Sequence, residues 1–363
     1  MTGAFDTFPS PTLLFGAGRL SEIGTLTASY GKRVLLVTDP GLRASGHVER
    51  AQGFLESSGL DVFVFDRVPE NPTTADALNC ARFADGFGAE VLVALGGGSA
   101  IDTAKGVNLL ALMPYSPLMP LIAVPTTAGT GSEVQRHAVL GDPETHVKRA
   151  YGHPAGTPKV ALLDPELTLT CPPRVTACTG IDALSHAVES FVTTARSPLS
   201  SLYARDAFAR IESNLETVFQ NPADLEARGE LLLGAALAGL AIENSMLGAA
   251  HAAANPLTAR FDTAHGEAVG RMLPHVVRFN AQLPEIDALY AELYGSGERL
   301  AARLEALLHA GGLADPFPHA LDDETLGILS EEAAAQRTAS FNPRPIRAED
   351  FRQIYGHLPS PRR

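Results

Sequence analysis

The chain has 363 residues, 45% hydrophobic and 19% charged, with a formal net charge of -13. That length predicts about two domains with enough apolar material for two cores. The acidic balance argues against general affinity for nucleic-acid backbones, so an anionic ligand would need a local positive feature such as a helix N-terminus.

The three cysteines, Cys80, Cys171 and Cys178, form no CxxC pair and are expected to be small buried thiols, not a disulfide framework. The opening segment lacks a basic region followed by a long apolar run, and no apolar stretch approaches the roughly 18 residues of a membrane span. A cytoplasmic enzyme is expected.

In chain order, Val34–Thr38 reads as a buried strand, then a helix runs from about Leu42 to Ser58. Val62–Phe65 is a strand, Thr73–Gly88 a helix, Val91–Leu95 a strand, Ala100–Leu110 a helix and Leu121–Val124 a strand. Gly141–His146 reads as a hairpin turn and Lys159–Leu163 as the last strand. Such alternation predicts an α/β domain whose parallel sheet carries helices on both faces. The turn-rich DPELTLTCPPR marks a boundary, and the remainder is rich in Ala, Leu and Glu with helical periodicity. The expected domains are 1–173, α/β and nucleotide-binding, and 174–363, all-helical. A short helix is expected near Ala348–Tyr355.

The strand VLVAL runs into Gly96-Gly97-Gly98-Ser99 and then a helix, which is how a chain presents backbone N–H groups to a pyrophosphate. It is not the GxGxxG fingerprint. A second loop, PTTAGTGSE, follows the next strand at the edge where ligands of open α/β sheets bind. Asp39 ends the first clear strand, where a carboxylate accepts from a ribose 2′-OH and repels a 2′-phosphate; a helix cap is the competing role.

Asp182 and His186 lie four apart in GIDALSHAVESF, on one helical face. His251 and His265 lie in HAAANPLTARFDTAHGE. One carboxylate with imidazoles suits Fe²⁺ or Zn²⁺.

With those residues in hand, the chain resembles the iron-containing (group III) alcohol dehydrogenases over nearly its whole length. The resemblance is carried by GGGSAIDTAK, VPTTAGTGSE, LLDPELT, TGIDALSHAVESF, AGLAIENSMLGAAHAAANPL, AHGEAVGRMLPHVVRFN and NPRP, in that order. It implies a nucleotide domain followed by a helical domain, with the active site between them. It places metal ligands on Asp182, His186, His251 and His265. It places nucleotide contacts on Asp39, Asn71, Gly97, Gly98, Ser99, Asp102, Thr126, Thr127, Thr130 and Lys148. It also implies NAD(H) in preference to NADP(H), one divalent metal, hydride exchange between nicotinamide C4 and a small alcohol or carbonyl whose oxygen binds the metal, and a homodimer or larger homo-oligomer.

Three departures stand out. The family's second histidine, four after the first of its HxxxH motif, is here Asn255, which cannot titrate. Glu243 occupies a position where a small polar residue is common, and the stretch between Tyr294 and Pro316 is short. Candidate substrate contacts are Gln135, His137, Ile242, Glu243 and Arg260, with His137 and Arg260 suited to an anionic group. Competing readings are a maleylacetate reductase-like keto-acid reductase and a metal- and nucleotide-binding scaffold or sensor. Dehydroquinate synthases share the fold but use a different metal set, one Glu and two His.

Overall fold

The structure is a computed structural model and describes residues 4–110, 118–144 and 148–358. It forms two compact units, Phe8–Cys171 and a helical unit of the described residues within Pro172–Arg363 and Met1–Thr7.

The first unit contains β1 (Thr12–Phe15), α1 (Ile23–Ala28), β2 (Arg33–Val37), α2 (Pro40–Ala44), α3 (His47–Ser57), β3 (Asp61–Phe65), α4 (Thr74–Phe87), β4 (Val91–Gly96), α5 (Gly98–Leu110), β5 (Leu121–Pro125), β6 (His137–Gly141), β7 (Lys148–Gly152) and β8 (Val160–Leu163). Six strands form one sheet in the order β1-β8-β5-β4-β2-β3, and every pairing is parallel. Successive side chains enter opposite faces. Val34, Leu36, Val93, Leu95, Ile122 and Val124 pack on one side, and Leu35, Val37, Leu92, Ala94, Leu121 and Ala123 on the other. Both faces are apolar, so helices must cover both.

The strand order reverses at β2, which has β3 on one side and β4 on the other. The carboxyl ends of β2 and β4 therefore flank a topological switch point, the usual ligand crevice of such sheets.

Several boundaries differ from the sequence reading. The helix expected over 42–58 is two helices, because Gly46 takes a left-handed conformation (φ 76) between them. The strand β1 went unread; it is four residues long and pairs with β8 far along the chain. Helix α5 starts at Gly98, two residues early, and the last strand starts at Val160, since Lys159 lies outside it. The strands flanking the expected hairpin turn pair antiparallel as β6–β7; Gly141 ends β6, and residues 145 and 146 of that stretch lie outside the described residues.

The second unit contains α6 (Pro173–Val192), α7 (Pro198–Gln220), α8 (Leu225–Glu243), α9 (Ala249–Phe261), α10 (His265–Asn280), α11 (Pro284–Tyr294), α12 (Gly297–Ala310), α13 (Asp323–Ala334) and α14 (Ala348–Gly356). Helix α6 packs against α7, α8 and α10, and is buried on almost every side from Thr176 to Val192. A helix buried all round is normally apolar. Asp182, His186 and Glu189 therefore stand out as buried polar residues on α6.

Of the cysteines, Cys80 and Cys178 are buried and unbridged, as expected, but Cys171 is only half-buried. Among the described residues no helix is long and apolar enough to cross a membrane.

Candidate metal centre and nucleotide loops

Three helices of the second unit bring the metal-type side chains together. Helix α6 supplies Asp182 and His186, α9 supplies His251 in its first turn, and α10 begins with His265. Asp182 Oδ1 lies 3.5 Å from His186 Nε2, 3.4 Å from His251 Nε2 and 3.8 Å from His265 Nε2. The donor atoms of Asp182, His186 and His251 all lie within 4.8 Å of one another. These three are buried, whereas the His265 side chain is one-third exposed.

Two polar atoms at the centre, Asp182 Oδ1 and His251 Nε2, are buried without a hydrogen bond. A buried polar atom in that state is costly, about 1–3 kcal/mol each. Two of them converging from different helices is the signature of donors waiting for a shared cation. One carboxylate and three imidazoles fit Fe²⁺ or Zn²⁺.

Electrostatics agree. Burial alone would raise the Asp182 carboxyl, yet the three facing imidazoles hold it well below the usual carboxylate range. Burial alone would lower His251, but Glu189 and Asp182 together push it up to about 9. The pocket is organised for positive charge.

Close packing places His265. A Cβ on the next residue, Gly266, would sit 2.0 Å from the Cys178 carbonyl oxygen and 3.2 Å from Asp182 Cβ. Only glycine lets the start of α10 approach α6 this closely.

Two further residues have roles that motif reading missed. Glu189 Oε2 contacts His251 Nδ1 at 2.5 Å, and Glu189 Oε1 accepts from Ala250 N at 2.7 Å. Its signal was present: Asp182, His186 and Glu189 form one polar stripe along a buried helix. Asn342 of NPRP accepts from Ala249 N and exchanges amide bonds with Asn280, tying the start of α9 to α10.

Asn255 Nδ2 donates to Gln336 Oε1 at 3.0 Å. At the end of α8, Ile242 is half-buried and Glu243 buried. Arg260 is exposed, and its guanidinium is ion-paired with Glu332.

In the first unit, the glycine turn follows β4, and the PTTAGTGSE loop follows the adjacent β5, with Gly96 opposite Pro125 in register. Gly96 has φ 156, and a Cβ there would meet Ala100 Cβ at 2.7 Å and Asp39 Oδ2 at 3.3 Å. A Cβ on Gly98 would meet Thr130 Cγ2 at 2.7 Å, and one on Gly97 would meet Thr127 Oγ1 at 3.3 Å. The two loops thus touch through threonines on glycines, while Thr126 is buried and Ser99 lies in the first turn of α5.

Asp39 caps α2, its Oδ1 accepting from Gly41 N and Leu42 N. The competing cap role is therefore real, and the same carboxylate still borders Gly96. Lys148 Nζ donates to Asn71 Oδ1 at 2.8 Å, joining β7 to the ENPT turn, where Asn71 itself takes a positive φ of 54.

Asp102 serves as an internal brace. Its Oδ1 accepts from Ser132 Oγ and its Oδ2 from Val139 N at 2.9 Å. The fully buried Lys105 donates to Ser132 Oγ and to the His137 carbonyl, both at 2.7 Å. This cluster locks the second loop and β6 onto α5. Beside it, burial pushes Glu133 up to about 7. Gln135 Nε2 donates to the Thr130 carbonyl, so its amide also supports the loop, and the His137 ring lies against Gly152.

A fold of this kind, a parallel nucleotide-type sheet followed by a helical unit with an Asp/His₃ cluster, defines a metal- and nucleotide-dependent class of enzyme. Comparison with known proteins agrees. The family model "Iron-containing alcohol dehydrogenase" matches residues 10–165, and the model of that family's C-terminal region matches residues 176–358. Alcohol dehydrogenase 4 of Saccharomyces cerevisiae is 33% identical, covering 94% of this chain and 95% of its own. A 1,3-propanediol oxidoreductase crystal structure superposes with TM-score 0.91 at 32% identity, covering 98% of this chain and all of its own. The sulfoacetaldehyde reductase of Bifidobacterium kashiwanohense, solved with NAD⁺, superposes with TM-score 0.91 at 28% identity and covers 99% of each chain. The chain belongs to the iron-containing alcohol dehydrogenase family. It is an oxidoreductase acting on CH–OH groups.

Proposed function

We propose that this enzyme is a metal-dependent, NAD(H)-linked alcohol dehydrogenase or carbonyl reductase for small substrates, working as a homodimer or larger homo-oligomer in the cytoplasm. Asp182, His186, His251 and His265 hold one Fe²⁺ or Zn²⁺. The observation that carries this reading is Asp182 Oδ1, buried without a hydrogen bond and within 3.4–3.8 Å of three imidazole nitrogens. A divalent cation there supplies Lewis acidity to the oxygen undergoing redox change.

The protein's own groups do the rest. Gly97, Gly98 and Ser99 at the start of α5, with Thr126, Thr127 and Thr130, form the cradle for the cofactor's phosphates. Lys148 and Asn71 stand as a linked pair for the same ligand. Asp102 acts on it indirectly by bracing the second loop. Asp39 favours NAD(H) by repelling a 2′-phosphate. Gln135, His137, Ile242 and Glu243 are carried as candidate substrate contacts. Asn255 offers an amide but no titratable proton, which leaves proton delivery to water, the cofactor ribose or another side chain.

Elemental analysis of the purified protein, paired with NADH oxidation across a panel of aldehydes and keto acids, tests the proposal. Stoichiometric iron or zinc and turnover lost on chelation are expected. Turnover confined to keto acids would move the assignment to a keto-acid reductase. Metal and NADH binding without turnover of any substrate would leave a scaffold or sensor.

A further inference from the structure

We propose that Glu189 is a positioning residue for the metal centre, holding the Nδ1 proton of His251 so that the Nε2 lone pair points at the site beside Asp182. This rests on the metal-binding reading above.

The geometry is specific. Glu189 lies on α6 three residues after His186, on the stripe that carries Asp182, and its side chain is only 4% exposed. The N-cap position of α9 is Gly248, which has no side chain to cap the helix. Glu189 reaches across from α6 and fills that role by accepting from Ala250 N, while its second oxygen meets His251 Nδ1 at 2.5 Å. A Cβ on Gly248 would come within 3.0 Å of Glu189 Oε1, so glycine leaves room for the carboxylate.

A carboxylate only accepts hydrogen bonds, so the proton between Glu189 and His251 belongs on Nδ1. When a metal displaces the other ring proton, the one held by Glu189 stays on Nδ1 and the lone pair is left on Nε2. That nitrogen is buried, makes no hydrogen bond and lies 3.4 Å from Asp182 Oδ1. One side chain thus starts the helix and selects the tautomer of the ligand in its first turn. Partners of this kind typically change metal affinity by about 10–100-fold.

The test uses the full chain, stripped of metal and titrated with Zn²⁺ against a chromophoric chelator, without cofactor or substrate. In Glu189→Gln the amide can still accept from Ala250 N. Its NH₂ group, turned to His251 Nδ1, would favour the opposite tautomer. A Zn²⁺ dissociation constant weakened by about 10–100-fold is expected. Asn342→Ala removes the other side-chain bond at the start of α9, from Ala249 N to Asn342 Oδ1, without touching His251. It should lower the thermal midpoint yet keep Zn²⁺ affinity within about threefold.

Wild-type affinity in a folded Glu189→Gln variant, or equal losses in both variants, overturns the proposal. Should Glu189→Gln not fold, long-range ¹H–¹⁵N NMR of the Zn²⁺-loaded wild type decides. A proton on His251 Nδ1 with zinc on Nε2 is expected, and the reverse assignment overturns the proposal. A wild type that binds no Zn²⁺ or Fe²⁺ overturns the metal reading itself, which separates the two failures.

Discussion

Replacing Gly266 by alanine should damage the metal centre without altering any ligand. The new methyl carbon would lie 2.0 Å from the Cys178 carbonyl oxygen and 2.7 Å from its carbonyl carbon, whereas ordinary van der Waals contact starts at 3.4 Å. The obstacle is backbone inside the buried α6, so no side-chain rotation relieves it. The start of α10 must retreat by about 1.4 Å, and His265 is its first residue. Metal–ligand distances tolerate only about ±0.2 Å. The retreat therefore takes one of four ligands out of range. Overpacking of this kind costs about 1–3 kcal/mol, which lowers the thermal midpoint by several degrees in a unit of this size. Metal affinity should fall by about tenfold or more, equivalent to about 1.4 kcal/mol. Differential scanning fluorimetry of the metal-free protein and Zn²⁺ titration read the two effects. A Gly266→Ala variant with wild-type midpoint and wild-type Zn²⁺ affinity would refute the claim that this close approach positions His265.

Two more predictions use groups away from the metal. Asp39→Gly should raise the NADPH-to-NADH ratio of kcat/KM by about tenfold or more, at a cost of only a few tenths of a kcal/mol because glycine is a tolerated N-cap; unchanged preference would remove Asp39 from cofactor discrimination. His275 stacks on His357, and burial first, with the His357 charge second, lowers its pKa from 6.5 to about 4. The unfolded chain therefore binds one more proton between about pH 6.5 and 4, so full stability holds above that window and declines as pH falls through it. Because the ring is partly exposed, the loss is about 1–2 kcal/mol, and thermal midpoints measured across this range should decline less in His275→Gln.

The α/β alternation was legible because strands buried on both faces leave continuous runs such as VLVAL, and the helical half was legible from its periodicity. What stayed hidden depends on distant contacts. TLLF at Thr12–Phe15 is too short to signal a strand until β8 pairs with it. Gly46 breaks a helix only because its left-handed backbone is realised. The side chains of the metal cluster were readable by type and spacing, since Asp182 and His186 share a face. Their convergence with His251 and His265 depends on Gly266 and on how α9 starts, and neither has a local signature. Asp102 shows the converse: a motif residue that reads as a ligand contact spends both carboxylate oxygens inside the protein. The Arg260–Glu332 pair was equally hidden, since a cation in sequence gives no sign that Glu332 will be its neighbour.

Both α9 and α10 deliver their histidines from the first turn, and neither has a capping side chain of its own. The peptide dipoles of the two helices thus direct positive potential at one small volume, which already contains the Asp182 carboxylate with Glu189 behind it. Each helix start contributes roughly half an elementary charge. Unlike histidine charge, this contribution carries no proton to lose. In a chain with a net charge of -13, it offsets part of the charge of the two carboxylates Asp182 and Glu189 by an amount that does not change with pH.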